Sequence, residues 1–241
     1  MAQIQQSDVD ELLRLGRNFY KGGSKSGNKL YADMSLDKYG QRMANATHAM
    51  LETEQAWNAY IAAHPEYAQR GAVSQSGYGA FLYNRGVTAG NCGEMAAVIT
   101  HLGLTQSTMA QKATHHITAE TRGAVGQPDH AFNIYFNIET HPNLRWPPPF
   151  KTINEIAAHD TEGMWAIDLW SKVACPLSMY VTEVQNKAAT WQTQSKMVAS
   201  VGQLMPAAAF FVSIGVQRLD YDITAKVPGG PTTWTYYRTP D

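Results

Sequence analysis

The first residue with a clear chemical capacity is Cys92, which the sequence places at the start of a helix. It follows the segment 88–91 (TAGN), and apolar residues then recur at helical spacing at Met95, Val98, Ile99 and Leu102. A cysteine attacks as its thiolate, and unpaired backbone N–H groups at a helix N-terminus stabilise that anion. The pattern predicts that Cys92 is a nucleophile, although a free cysteine is more often a small buried hydrophobic residue.

A thiol nucleophile needs a base within hydrogen-bonding distance, and imidazole is the usual one because its pKa lies near neutrality. Among eight histidines, we expect His130 to be this base. It precedes the apolar segment 131–138 (AFNIYFNI) and so lies at the mouth of a predicted strand. His115 and His116 form a second candidate pair, whereas His101 lies too far along the predicted helix from its first turn.

The third group of such a site fixes the imidazole tautomer and stabilises its cationic form, which a partly buried carboxylate can do. Asp168 fits because it lies inside the apolar strand candidate 164–170 (MWAIDLW), where a charge is rare unless it is paired. An aspartate at a strand end on the sheet surface is the plainer alternative. Thirty-eight residues separate Cys92 from His130, and thirty-eight separate His130 from Asp168, so only the fold can bring them together.

Several neighbours are candidates for supporting roles. Glu94 is expected to be structural or to act through other residues, because a carboxylate near a thiolate raises the thiol pKa unless a cation neutralises it. Asp129 and Trp170 are expected to support the base and the acid in the same indirect way. The backbone N–H of Cys92 would point toward a developing oxyanion. Further candidates for stabilising that oxyanion or positioning substrate are Gln75, Asn84, Gly90, Asn91 and Gly93.

Hydrophobic periodicity predicts the elements in the first part of the chain. Residues 7–20 read as a short helix capped by Ser7 or Asp8, and residues 36–63 as a long amphipathic helix that ends before Pro65. Residues 21–29 are predicted to be a mobile loop. Residues 71–91 are rich in glycine and small polar residues, which predicts an irregular loop that leads into the Cys92 helix.

Beyond residue 130 the periodicity changes to two, which predicts strands at 131–138 and 164–170. Between them, prolines at 142 and 147–149 indicate an irregular excursion over the surface. Residues 178–200 are predicted to be helical, and residues 209–223 and 232–238 to be strands. We therefore expect one α+β domain over residues 1–241, with a helical N-terminal part at 1–70 and the Cys-His-Asp core at 71–241.

Composition excludes several classes of function. Lysine plus arginine number 19 against 20 aspartate plus glutamate, so the net charge of −1 predicts no attraction to nucleic acid or to an anionic membrane. Two cysteines form no disulfide framework, which favours a reducing compartment. The histidines lack metal-ligand spacing, so we expect neither a metal nor another cofactor. The methionines and tryptophans are expected to fill the core.

The N-terminus and the hydropathy pattern bear on localisation. The first residues, MAQIQQSDVDELL, carry acidic side chains and no apolar core segment, which predicts no cleavable signal peptide. No apolar run approaches the length of a membrane span. We expect a cytoplasmic protein, or one exported into a target cell by a system that reads no such signal.

Three segments in order, GNCGEM (90–95), DHAFNIYF (129–136) and WAIDLW (165–170), resemble the transglutaminase-like branch of the papain-like cysteine enzyme superfamily. In that family a cysteine followed by Gly-Glu opens a helix, a histidine begins a strand, and an aspartate lies on the next strand. The resemblance assigns Cys92, His130 and Asp168 the roles of nucleophile, base and orienting acid. The sequence departs from the family at Leu169, where a proline is common, and in the long stretch between His130 and Asp168.

The resemblance implies an α+β papain-like core with the nucleophile helix packed on an antiparallel sheet, and a reaction that passes through a thioester. Members of the family hydrolyse peptide bonds, remove glycans from asparagine, deamidate glutamine or crosslink glutamine to amines. The expected partner is a protein or peptide substrate. The size and the absence of a signal also resemble bacterial effector toxins that deamidate or cleave host proteins, which is an argument by analogy.

Two other functions fit parts of the pattern. A papain-like cell-wall peptide amidase also has Cys, His and a polar third group in this order, but such enzymes typically flank the nucleophile with Asp and Ser, where this chain has Asn91 and Gly93. A non-catalytic protein-binding module could instead use the aromatic and proline-rich surface at 146–150.

Overall fold

The computed structural model describes residues 3–21, 26–31, 36–66, 74–123, 127–139, 149–159, 161–200 and 203–239. The helices are α1 (Gln6–Phe19), α2 (Leu36–Ala62), α3 (Gln75–Arg85), α4 (Cys92–Thr105), α5 (Ile153–Ile156), α6 (Tyr180–Thr193) and α7 (Ala207–Ile214). The strands are β1 (Lys29–Tyr31), β2 (Thr114–Arg122), β3 (Ala131–Asn137), β4 (Trp165–Asp168), β5 (Val173–Pro176), β6 (Lys196–Ser200), β7 (Gln203–Pro206), β8 (Arg218–Lys226) and β9 (Thr232–Tyr237). The predicted α+β class is confirmed.

The main sheet has six antiparallel strands in the order β5-β4-β3-β2-β8-β9. Its register places Asn133 of β3 opposite Ile167 of β4, and Ala131 of β3 opposite Glu120 of β2. The strands that follow His130 and end at Asp168 are therefore direct neighbours. A smaller antiparallel sheet, β1-β6-β7, brings residues near the N-terminus together with the chain after α6.

Helix α4 packs on β2 and β3 and is buried on most of its circumference, which explains why its sequence is apolar almost throughout. Several polar groups in this interface are paired, as the low polarity of an interior favours. Thr100 Oγ1 lies 3.1 Å from Thr118 Oγ1, and Asn133 Nδ2 donates to Ala96 O at 3.2 Å. These bonds fix the position of α4 along the sheet.

The prediction of an irregular loop at 71–91 is wrong for residues 75–85, which form α3, whereas residues 86–91 are irregular and lead into α4. Ser74 caps this helix by accepting a hydrogen bond from the Gly77 N–H, and Gly86 ends it in the left-handed conformation at φ 66°. A Cβ atom at Gly79 would stand 2.0 Å from Ala97 O. The small residues in this segment therefore serve close packing of α3 against α4.

Other predicted boundaries also need correction. Helix α1 starts at Gln6 with Gln5 as its N-cap, and Asp8 is the third helical residue, which closes a capping box. The helix predicted at 178–200 ends at Thr193, and β6 follows. The strand predicted at 209–223 is helix α7 followed by β8, and strand β2 was not predicted. The helix predicted at 36–63 is confirmed as α2.

Two predicted loops are only partly described. Residues 22–25 of the predicted mobile loop lie outside the described residues, but Ser26 is buried and Lys29 begins β1. Prolines 142, 147 and 148 of the predicted excursion also lie outside the described residues, as does most of the binding surface proposed at 146–150. Phe150, at the end of that surface, is buried and packs near Tyr221.

Candidate active site

Cys92 is the first residue of α4, as the sequence predicts. Asn91 is the N-cap: its side chain accepts the Glu94 backbone N–H, and Glu94 Oε2 accepts the Asn91 N–H at 2.8 Å. This reciprocal pair explains the presence of Glu94 two residues after a cysteine, since it fixes the first turn of the helix. Within the described ranges, no acceptor holds the N–H groups of Cys92 and Gly93, so both can stabilise an anion.

The chain segment before β3 lies next to the Cys92 thiol. The backbone N–H of Ala131 lies close enough to the Cys92 sulfur to lower the pKa of its thiol. His130 is the adjacent residue, and its own backbone is held to β2 by the Thr121 hydroxyl, which accepts the His130 N–H at 2.7 Å. Cys92 of α4 thus lies next to Ala131, the residue that follows His130 in the chain.

His130 and Asp168 are joined directly. His130 Nε2 lies 2.9 Å from Asp168 Oδ2, and both side chains are fully enclosed. Asp168 Oδ1 accepts the Ser171 N–H at 2.8 Å. Burial alone would raise the pKa of Asp168, but the interactions with His130 and Ser171 outweigh it and hold that pKa below its ordinary value. Asp168 is thus an ionised partner for the imidazole.

The other ring nitrogen, His130 Nδ1, is buried and has no hydrogen-bond partner in the described part of the chain. Leaving a buried nitrogen without a hydrogen bond lowers the stability of the fold, so such a nitrogen calls for an explanation such as a functional role. The Cys92 sulfur is therefore not hydrogen-bonded to His130 Nδ1 here. Thiol–imidazole contacts are often long in ligand-free sites and shorten when substrate binds.

Tyr180, at the start of α6, is a member of the site that sequence reasoning missed. Its hydroxyl donates to Asp168 Oδ2 at 3.2 Å and lies 3.3 Å from His130 Nε2. Its ring stacks on Phe132 with 4.2 Å between centroids, which sets its direction. The spacing of Tyr180 along α6 gives no signal of this role, because it depends on how α6 packs against the end of β4.

Aromatic rings close the site on the side of His130. The Trp170 and Phe211 rings stand edge-on to the imidazole at 5.4 and 5.3 Å between centroids. Trp170 was predicted to support the site indirectly, and it does contact His130. Residues 26–31, which we call the covering segment, lie over Trp170: its indole N–H donates to Ser26 Oγ at 3.1 Å and to Asn28 Oδ1 at 3.0 Å.

Lys29 of the covering segment places its amine near the site. Its ammonium group donates to the Trp170 carbonyl and lies 4.2 Å and 4.6 Å from the ring centroids of Trp170 and Trp191. Burial lowers the pKa of Lys29 well below its ordinary value, although the charge of Asp168 acts in the opposite direction. The aromatic rings and the carbonyl therefore take the place of water around this side chain.

The three predicted residues are almost inaccessible, at 9% exposure for Cys92 and 1% each for His130 and Asp168. Burial is the main reason that the pKa of the Cys92 thiol is raised. Asp129 and then Glu94 raise it further, while the Ala131 N–H lowers it. In this closed arrangement burial and the nearby carboxylates favour the neutral thiol of Cys92 over the thiolate.

More carboxylates stand close to the start of α4. Glu120 of β2 accepts a hydrogen bond from Gln75 Nε2 at 2.8 Å. Burial raises the pKa of Glu120 to about 7, and the charges of nearby carboxylates, Asp222 first among them, act in the same direction. Gln75, a candidate for the oxyanion site, is thus committed to Glu120 through its amide nitrogen.

The structure removes two candidates from the site. Asn84 lies exposed in the last turn of α3, next to Tyr83, whose ring contacts His101. His101 is nine residues along α4 from Cys92, or about 14 Å at 1.5 Å per residue. His116 is buried against Gly103, still farther along α4, and bonds to Thr114. Burial lowers the pKa of His116 to about 3, so it is a neutral core residue.

The glycines beside Cys92 differ in what surrounds them. A Cβ atom at Gly90 would stand 2.8 Å from Glu94 Cβ and 3.1 Å from the Tyr20 hydroxyl, so the chain approaches its neighbours as closely as only glycine allows. A Cβ at Gly93 would meet nothing within 4 Å. The side of Gly93 that would carry a Cβ therefore borders open space.

Two features are absent from the described residues. None of the helices there combines the length and apolar character that a bilayer crossing needs. Nor do three or more His, Cys, Asp or Glu side chains gather there as metal ligands would. No protein-family model, curated protein or solved structure matches this chain.

Proposed function

We propose that this protein is a cysteine hydrolase or acyltransferase of the transglutaminase-like, papain-like type, which acts on an amide bond of a protein or peptide. The observation that carries the proposal is the enclosed His130–Asp168 pair, whose His130 Nδ1 has no partner among the described residues, together with Cys92 at a helix N-terminus next to the Ala131 backbone. In this proposal the nucleophile comes from the start of α4, the base from the residue before β3, and the orienting acid from the end of β4.

Acylation would begin when His130 Nδ1 takes the proton from the Cys92 thiol as the sulfur attacks the substrate carbonyl carbon. The carbonyl electrons move to oxygen, and the N–H groups of Cys92 and Gly93 stabilise the resulting oxyanion. His130 then gives its proton to the substrate nitrogen. The C–N bond breaks, ammonia or an amine leaves, and a thioester to Cys92 remains.

Deacylation would run the same steps with a second nucleophile. His130 removes a proton from water or an amine as that molecule attacks the thioester, and the proton returns to the sulfur when the C–S bond breaks. Water yields a carboxylic acid, and an amine yields a new amide. Asp168 stays ionised throughout and stabilises the imidazolium that forms in each half-reaction.

The raised thiol pKa favours proton transfer during attack over a stable thiolate–imidazolium pair. Burial and the carboxylates of Asp129 and Glu94 all disfavour the thiolate, whereas the negative charge of Asp168 stabilises a positive charge on the imidazole. Entry of a substrate carbonyl between the N–H groups and the sulfur would displace the Ala131 contact and free the thiol to turn toward His130.

The reaction can be tested by mass spectrometry of candidate protein lysates incubated with the purified chain. A gain of about one dalton at glutamine indicates deamidation, new peptide ends indicate proteolysis, and an added amine indicates transamidation. We expect one of these changes with the native chain and none with Cys92→Ala or His130→Ala. Asp168→Asn should lower the rate by about two to four orders of magnitude, since a neutral amide cannot stabilise the imidazolium.

Cys175→Ala is the matched control. Cys175 is the other free cysteine, is equally buried, and lies on β5 rather than at the start of a helix. Its replacement should leave the product and the rate unchanged. If modified products form equally well with Cys92→Ala, or if Cys175→Ala abolishes them, Cys92 is not the nucleophile and the proposal is wrong.

A further inference from the structure

A cavity of about 520 Å³ opens at the start of α4, and it is lined by residues on either side of Cys92 in the chain but not by Cys92 itself. Its wall includes Asn91 and Glu94 of the first turn around Cys92, together with Trp57 of α2 and Tyr78 of α3. Asn91 precedes Cys92 in the chain, so their Cα atoms are about 3.8 Å apart. A substrate group in this cavity would therefore belong to a residue close in sequence to the one whose carbonyl reacts.

Two carboxylates give the cavity its charge. Glu54 of α2 and Glu94 of α4 both line it, and among its described lining residues there is no lysine, arginine or histidine. Both are near enough to act on Tyr78: burial is the main cause of the raised pKa of Tyr78, and the charges of Glu94 and Glu54 add to it. The net charge of the whole protein is only −1, so this concentration of negative charge is local.

The two carboxylates differ in how they are held. Glu94 is fixed in direction because its Oε2 accepts the Asn91 N–H at 2.8 Å. Glu54 is exposed, and within the described residues no group donates a hydrogen bond to it. A cation that entered the cavity would meet one preset carboxylate and one that can adjust.

The aromatic wall suits the same kind of ligand. The Trp57 ring lies 4.8 Å from Tyr78 and 4.9 Å from Phe81 between centroids, so neighbouring rings hold it in place. The face of an indole ring attracts an ammonium or guanidinium group, and its apolar surface packs against the alkyl chain that carries such a group. A pocket with aromatic walls and a few placed charges is typical of a side-chain binding site.

We propose that this cavity is a specificity subsite for a lysine or arginine side chain of the substrate, near the residue whose amide reacts, with Glu54 and Glu94 as the binding carboxylates and Trp57 as the aromatic wall. This inference rests on the proposed function for its meaning, but the binding that it predicts does not require catalysis.

The test measures peptide binding to full-length protein that carries Cys92→Ala, so that no reaction occurs. The probes are fluorescent glutamine peptides that differ only in a neighbouring residue, which is lysine in one and uncharged norleucine in the other. We expect the lysine peptide to bind about tenfold more tightly, with a preference that shrinks as salt rises. Free 1,5-diaminopentane should compete weakly, since it lacks the rest of the peptide.

Glu54→Gln, added to Cys92→Ala, should remove most of the preference for lysine. Glu52→Gln is the matched control, because Glu52 lies two positions away on the same helix, is exposed, pairs with His48 and does not line the cavity. Equal affinity for the two peptides, or the same loss of preference in both variants, would overturn the subsite.

The two proposals can fail separately. A lysine preference that depends on Glu54 in a protein without acyl-transfer activity would keep the subsite and refute the enzyme. Catalysis that depends on Cys92, without any preference for lysine or arginine near the reacting residue, would keep the enzyme and refute the subsite.

Discussion

Glu120→Gln should change how the stability of the protein depends on pH. Glu120 is partly buried on β2, accepts a hydrogen bond from Gln75, and has a pKa that burial and the charge of Asp222 raise from 4.5 to about 7. A glutamine has the same shape as the protonated acid, and its amide oxygen can accept the same bond from Gln75. The variant therefore removes the ionisation and keeps the contact.

The sign follows from where the proton is bound. Between pH 4.5 and about 7 the folded protein keeps a proton on Glu120 that the unfolded chain has released, so the free energy of unfolding falls as pH rises through this window. This contribution is fully present below pH 4.5 and is lost above about 7. The difference between the two pKa values, at 1.36 kcal/mol for each pKa unit, corresponds to about 3 kcal/mol.

The assay is urea unfolding, followed by circular dichroism, at several pH values between 4 and 8. We expect native protein and Glu120→Gln to have similar unfolding free energies at pH 4 and the variant to be more stable by about 3 kcal/mol at pH 8, or roughly 6–12 °C in Tm. Glu139→Gln, at an exposed turn after β3, is the control and should show no such divergence. A difference that is the same at every pH would refute the reasoning, since it would mean that folded Glu120 holds no extra proton.

Two further predictions concern the candidate site. Trp170→Phe removes the indole N–H that binds Ser26, so the covering segment should loosen and iodoacetamide should alkylate Cys92 several-fold faster. Cys175 is the internal standard, and its rate should not change; equal acceleration at both cysteines would indicate general unfolding instead. Tyr180→Phe removes one hydroxyl contact to the imidazole–carboxylate pair and should lower kcat about tenfold with little change in KM, as the loss of a buried hydrogen bond to a charged group implies; a change in KM alone would contradict this role.

The parts of the fold that sequence reasoning predicts well are those with one dominant period. The α2 pattern, the start of α4 at Cys92 and strand β3 after His130 all carry strong local signals, and all three are present. Segments whose residues serve tertiary packing were harder to predict. The glycines of α3 indicate a loop in isolation, but Gly79 is needed because Ala97 comes so close.

For the candidate site, local patterns found the groups but not their environment. His130 is distinguished from His116 by which end of α4 each one faces, and no periodicity specifies that. The contact between Tyr180 and Asp168 and the cover over Trp170 join residues 12 and more than 140 positions apart. Such pairings are decided by how helices dock on the sheet, which one sequence does not reveal.

Helix α1 has a consequence for any attempt to shorten this protein. Gly16 packs against Ile99 of α4 and against Leu169, which follows Asp168, while Asp8 forms an ion pair with Lys112 at 2.5 Å. Helix α1 therefore packs against both α4 and the end of β4, the two elements that carry Cys92 and Asp168. A fragment that began at residue 71 would expose the apolar surfaces that α1 covers to water, and we expect it to aggregate during expression rather than fold on its own.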